Sequence, residues 1–148
     1  MNAVQYKKIL VPIDGSPNSY KAVQHAGYLA ACTGATVGLL HVMISFKDLQ
    51  VYAPLGTTYI PEDFMENAEE FGNHVLAEAI GLLPPEVHST TFLELGSPAE
   101  RIPGFAQSQG YDVIVMGRRG LGVLKELVMG SVSHYVLHHA KCPVMVIK

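Results

Sequence analysis

Five short apolar runs alternate along this chain with stretches of helical periodicity, and no two runs are joined by a hairpin-type turn. Parallel strands need crossover connections, whereas antiparallel neighbours can be joined by two-residue loops. A strand-helix order without hairpins therefore predicts an α/β fold with a parallel sheet and helices covering it.

The first run is Lys8-Ile9-Leu10-Val11-Pro12-Ile13, closed by Asp14-Gly15-Ser16-Pro17. Proline lacks the amide that a central strand must donate, so Pro12 is expected at the strand's end. Ser16 reads as an N-cap with Pro17 at the first helical position. Ala22, Val23, Ala26, Leu29 and Ala30 keep helical spacing, and Gly34 stops that helix. Thr36 to Val42 is a second buried strand. Residues 44–60 carry Pro54, Gly56, Tyr52 and Tyr59 without a clean period; they read as a long connection or a lid over a ligand.

A helix is expected from Pro61 to about Leu82, with Phe64, Ala68, Phe71, Val75 and Ala79 as its stripe and Pro84-Pro85 after it. Val87 to Leu95, rich in Thr, Phe and Val, suits an edge strand. Ser97-Pro98-Ala99-Glu100 has the form of a capping box. Pro103-Gly104 within the same helix costs a backbone bond, so a kink or a short first turn is expected. Tyr111 to Val115 is the fourth strand, Val132 to His139 the last helix, and Pro143 to Ile147 the fifth strand.

The chain has 148 residues, enough for one domain with a real core. A net charge of -3 argues against a general nucleic-acid binder. No apolar run approaches the roughly 20 residues of a membrane span. The first residues lack the layout of a signal peptide. Cys32 and Cys142 form no CxxC pair and are expected to pack in the core, which fits a reduced cytoplasm.

The segment with most chemical content is Met116-Gly117-Arg118-Arg119-Gly120, followed after nine residues by Gly130-Ser131. It lies between the fourth strand and the last helix. Glycines let a backbone approach phosphate closely, and a helix start offers free amides and a favourable dipole. Taken alone, Ser131 reads as a simple helix cap, and Gly117 and Gly120 as turn glycines. Together, in that order, they favour phosphate. In parallel sheets ligands sit at the carboxyl ends of strands where the winding reverses. Asp14, Val42 and Gly117 mark three such ends. No GxxxxGK[ST] occurs, and Gly120-Leu121-Gly122 is not a dinucleotide fingerprint.

These residues resemble the universal stress protein family over nearly the whole chain. The blocks are Ile9 to Ser16, Leu40-His41-Val42, Gly96 to Glu100, and Val115 to Gly120 continuing at Gly130-Ser131-Val132-Ser133. The last fits the pattern G-x-x-G, nine residues, G-[ST] of the family's ATP-binding branch. The resemblance implies a three-layer Rossmann-like sandwich with a five-stranded parallel sheet in the order 3-2-1-4-5. It also implies adenine and ribose near Pro12, Ile13, Asp14 and Val42. The ribose-phosphate would run along Met116, Gly117, Arg118 and Gly120, with phosphates at Gly130, Ser131, Val132 and Ser133. Dimers through the last strand, Val144 to Ile147, are implied as well.

Three functions fit this pattern. One is an ATP-binding stress-response protein acting as a switch or sensor. Another is slow hydrolysis of ATP with magnesium or manganese on the phosphates, for which no histidine is placed as an obvious base. The third is a dimeric interaction module with a structural nucleotide. His134 and His138 have chelating spacing but no evident third ligand. His41 reads as a packing residue at a strand end; His25, His74 and His88 read as surface residues.

Overall fold

A computed structural model of the protein describes residues 3–45, 64–118 and 130–148. Within them the order is β1 (Lys8–Pro12), α1 (Pro17–Thr33), β2 (Thr36–Ile44), α2 (Phe64–Gly81), β3 (Ser89–Gly96), α3 (Pro98–Ser108), β4 (Val113–Gly117), α4 (Ser131–His139) and β5 (Val144–Ile147). The five strands form one sheet in the order β3-β2-β1-β4-β5, and every pairing is parallel. The expected sheet order is thus the observed one, with β3 and β5 at its edges.

Alternation along β1 explains the three layers. Ile9 and Val11 point to one face, where they meet Ala22, Val23, Ala26 and Ala30 of α1 and Val75, Leu76 and Ala79 of α2. Leu10 points to the other, with Ile102, Phe105 and Ala106 of α3 and Val136 of α4. Ile9, Leu10 and Val11 are all 0% exposed, as a strand covered on both faces requires. Burying each such side chain contributes about 1.5–3 kcal/mol.

The capping of α1 follows its sequence. The Ser16 side chain accepts from the Ser19 amide, Pro17 opens the helix, and Gly34 closes it in the left-handed conformation at φ 77°. The start of α3 does not follow: Ser97 makes no side-chain capping bond, although its carbonyl accepts from Arg101. Nor does Pro103 shorten the helix. α3 runs unbroken from Pro98 to Ser108 with Pro103 buried among its core residues. Packing of Ile102, Phe105 and Ala106 holds the helix where local propensity opposes it.

Other expectations shift in detail. β2 continues past Val42 to Ile44, because Met43 and Ile44 still pair with Leu95 and Gly96 of β3. On α2 the core-facing residues are Val75, Leu76 and Ala79, whereas Phe71 is 44% exposed. Cys32 is exposed on α1 instead of packed in the core; Cys142 does pack partly against the second core. The expected helix start at Pro61 and most of the connection 44–60, with Tyr52 and Tyr59, lie outside the described residues.

Candidate functional site

The middle of the sheet opens at its carboxyl end because β1 stops early. The β1–β2 register ends at Pro12 opposite Leu40, while β2 runs four residues further. The β1–β4 register ends at Leu10 opposite Ile114, and β4 continues to Gly117. Beyond Pro12, β2 and β4 are therefore the two walls of a crevice whose floor is the end of β1. Here the winding reverses, since α1 and α2 cover one face and α3 and α4 the other.

Backbone direction decides what the walls offer. The Thr36 amide donates to Lys7 and the Leu40 carbonyl accepts from Ile13, so even-numbered residues of β2 turn their backbone groups toward β1. Val42 is in that phase, but β1 has ended, so its N–H and C=O face the crevice. On the opposite wall the amides of Ile114 and Arg118 donate to Pro143 and Ile147 of the β5 side. Gly117 lies between in phase and turns its own groups the other way, into the crevice.

Gly117 also has no room for a side chain. A Cβ there would lie 2.8 Å from the backbone carbon of Asn18. The end of β4 thus abuts the first turn of α1, which Ser16 caps. Asp14 is half-buried, and its Oδ1 accepts from the Ser16 amide at 2.9 Å. That bond fixes the carboxylate at the mouth of the floor, where ribose hydroxyls could donate to it.

The two ends of the segment 119–129 meet at one carbonyl. Arg118 O accepts from the Gly130 amide at 2.9 Å and from Ser133 Oγ at 2.6 Å. Gly130, and not Ser131, is the N-cap of α4, and glycine has no side chain with which to cap it. Ser131 is the first helical residue and is exposed, so its reading as the helix cap is corrected. The α4 start presents the amides of Ser131 and Val132 as donors without helical acceptors. Ser133, where the resemblance implies a phosphate contact, turns its side chain inward. It is 2% exposed and its hydroxyl faces the Arg118 and Gly130 carbonyls, which makes it a clamp behind the helix start.

Pro12, Ile13, Asp14, Val42, Met116, Gly117, Arg118, Gly130, Ser131 and Val132 thus lie in β1, β2, β4 or α4, or within two residues of their ends, where these border the crevice. The side chains of Ile13 (3% exposed), Val42 (8%) and Met116 (5%) are core residues, so what these positions offer the crevice is their backbone. Gly120, Arg119 and the spacer 121–129 lie outside the described residues.

His41 was legible only as packing, yet its Nδ1 lies 2.7 Å from the Ile13 carbonyl on the crevice floor. His134 and His138 meet edge-on at 4.5 Å between ring centroids. Among the described residues no group of three or more metal-ligating side chains occurs. His25, His74 and His88 are exposed as expected. Burial pushes the Cys142 thiol up, which keeps it protonated and poorly nucleophilic. No helix among the described residues is long and apolar enough to cross a membrane.

Comparison with known proteins bears on this arrangement. The model of the "Universal stress protein family" matches residues 5–148. Universal stress protein YxiE of Bacillus subtilis is 34% identical, over 97% of this chain and 99% of its own. Universal stress protein MJ0577 of Methanocaldococcus jannaschii is 31% identical, over 99% of this chain and 97% of its own. The solved structure of MJ0577 superposes with a TM-score of 0.77 over 98% of this chain and 97% of that one, at 28% identity. The universal stress protein of Archaeoglobus fulgidus, solved in complex with dAMP, shares the fold at a TM-score of 0.70 and 22% identity, over 98% of this chain and all of that one.

Proposed function

The chain belongs to the universal stress protein family, and from that premise we propose that it binds ATP in the crevice beyond β1 and acts as a nucleotide-dependent switch or sensor. The carrying observation is the opening of the sheet beyond Pro12. The backbone of Val42 lines one wall and that of Gly117 the other, and the start of α4, with glycine at its N-cap, stands beside them. Adenine takes its hydrogen bonds from the Val42 backbone, the ribose hydroxyls donate to Asp14, and the phosphates follow Gly117, Arg118 and Gly120 to the amides of Ser131 and Val132. The positive end of the α4 dipole meets their charge. The dAMP complex of the Archaeoglobus relative supports an adenine nucleotide as the ligand. Magnesium or manganese would enter with the phosphates, and the protein would work in the cytoplasm.

Ser131→Glu tests this reading without damaging the fold. A carboxylate in the first turn of α4 favours the helix dipole, so thermal stability holds or rises slightly. It repels phosphate, so calorimetry should record at least about a tenfold loss of ATP affinity. Wild-type protein that binds neither ATP, ADP nor AMP, and releases no nucleotide on denaturation, would refute the proposal.

The edge position of β5 favours a second element of function, a homodimer built through that strand. Met145 is 39% exposed there, on a short apolar edge that a second copy could extend. Light scattering of Val146→Lys should give monomers from dimeric wild type; dimers that persist would exclude this interface. Slow ATP hydrolysis is the remaining alternative. A turnover assay in which Asp14→Ala abolishes activity while ATP still binds would favour it.

A further inference from the structure

We propose that His41 is a positioning residue that ends the β1–β2 ladder and so keeps the Val42 amide available to the ligand. Thr36 donates to Lys7 and Ile13 donates to Leu40, which fixes the partner of every later rung. The next rung would join the Val42 N–H to the Ile13 carbonyl. It is not made, and the register closes at Pro12 opposite Leu40. The Ile13 carbonyl is instead met by His41 Nδ1 at 2.7 Å. A carbonyl can only accept, so Nδ1 carries the proton and donates.

The imidazole is held for this task. It is buried, with His41 7% exposed, and its edge meets the Phe71 ring at 5.8 Å between centroids. Gly72 of α2 leaves its seat: a Cβ there would lie 2.7 Å from His41 Cδ2. The result is one residue tied at both ends, Ile13, with its N–H on Leu40 and its C=O on His41. Without the ring donor, the carbonyl and the Val42 amide would satisfy each other, since buried backbone groups rarely stay unpaired. The β1–β2 ladder would then close by one rung, removing the donor on which adenine recognition depends.

That last consequence rests on the ATP-binding reading above; the state of the Val42 amide does not. The test therefore has two arms, both on the full-length protein. In the first, amide hydrogen exchange is followed by NMR without nucleotide. Wild-type Val42 should exchange at least about tenfold faster than Leu40, whose carbonyl and strand neighbours are paired. His41→Leu, which keeps the bulk and removes the donor, should slow Val42 by about tenfold, and His41→Asn, which keeps an N–H near Nδ1, should not. In the second arm, His41→Leu should weaken ATP binding by about tenfold while His41→Asn stays near wild type. Wild-type Val42 as protected as Leu40 would overturn the proposal even if neither variant folded. Unchanged Val42 exchange in a folded His41→Leu would overturn it too. Wild-type protein that binds no adenine nucleotide would refute the functional reading alone, leaving the exchange arm to decide the role of His41.

Discussion

The Tyr111 hydroxyl fills the space that a side chain at Gly38 would need: a Cβ there would lie 2.1 Å from the phenol oxygen and 2.6 Å from the carbon that bears it. Glycine weakens a strand interior in general, so its presence in β2 reflects the approach of this ring. Phe105 stacks on Tyr111 and Phe92 meets Phe105 edge-on, at 6.1 and 4.8 Å between centroids. Gly38 thus gives β2 the gap into which the aromatic cluster on the α3 face locks.

Gly38→Ala should therefore destabilise the protein by about 3 kcal/mol, since neither strand nor ring can retreat through a packed core. In a domain of this size that is a fall in Tm of roughly 6–12 °C, read by circular dichroism. Gly104→Ala is the control, because nothing lies within 4 Å of a Cβ at Gly104. Adding a methyl to an exposed helix interior should stabilise slightly.

Ser133→Ala removes one of two donors to the Arg118 carbonyl and leaves the Gly130 amide in place. A loss of about 1 kcal/mol is expected. Because the same bond sets the start of α4 against the end of β4, calorimetry should show weaker ATP binding as well. Ser131→Ala, on an exposed side chain, should leave Tm unchanged.

Alkaline pH should weaken the fold through two tyrosines. Burial raises the Tyr111 pKa above its ordinary 10.0. Tyr20 is raised by burial first, then by its hydrogen bond to Glu78 and the charges of Glu78 and Asp14. A folded value above the unfolded one means stability that is complete below about pH 10 and lost as pH climbs through the folded value. Urea midpoints from pH 8 to 11 should fall at the upper end, and Tyr111→Phe should flatten that fall.

Much of this molecule is readable from the chain. The order of elements, the parallel sheet, Pro12 at a strand end, Ser16 as cap and Gly34 as stop all follow from local chemistry, since each depends on residues within a few positions. Gly117, Gly130 and Ser131 were legible as a group because their spacing brackets a loop between a strand and a helix. What escaped depends on contacts between distant segments. The last two residues of β2 are strand because β3 lies beside them, and α3 survives Pro103 because its other face is packed. The role of His41 could not be read, since it rests on a carbonyl 28 residues away that only the register brings near. The clamp made by the Ser133 hydroxyl escaped for the same reason: its acceptor at Arg118 is 15 residues back.

The central position of β1 also bears on how the chain is made. It precedes the other four strands in the chain, yet one of its two neighbours, β4, is about a hundred residues away in sequence. The amides of Lys7 and Lys8 both donate to the Asp112 carboxylate, at 2.7 and 2.8 Å, and must wait for it. Until then a nascent chain carries Ile9, Leu10 and Val11 beside an open edge, the kind of surface that chaperones cover. A chain that stops short of Asp112 would leave that edge open permanently, so such shortened products should aggregate instead of accumulating as partly folded domains.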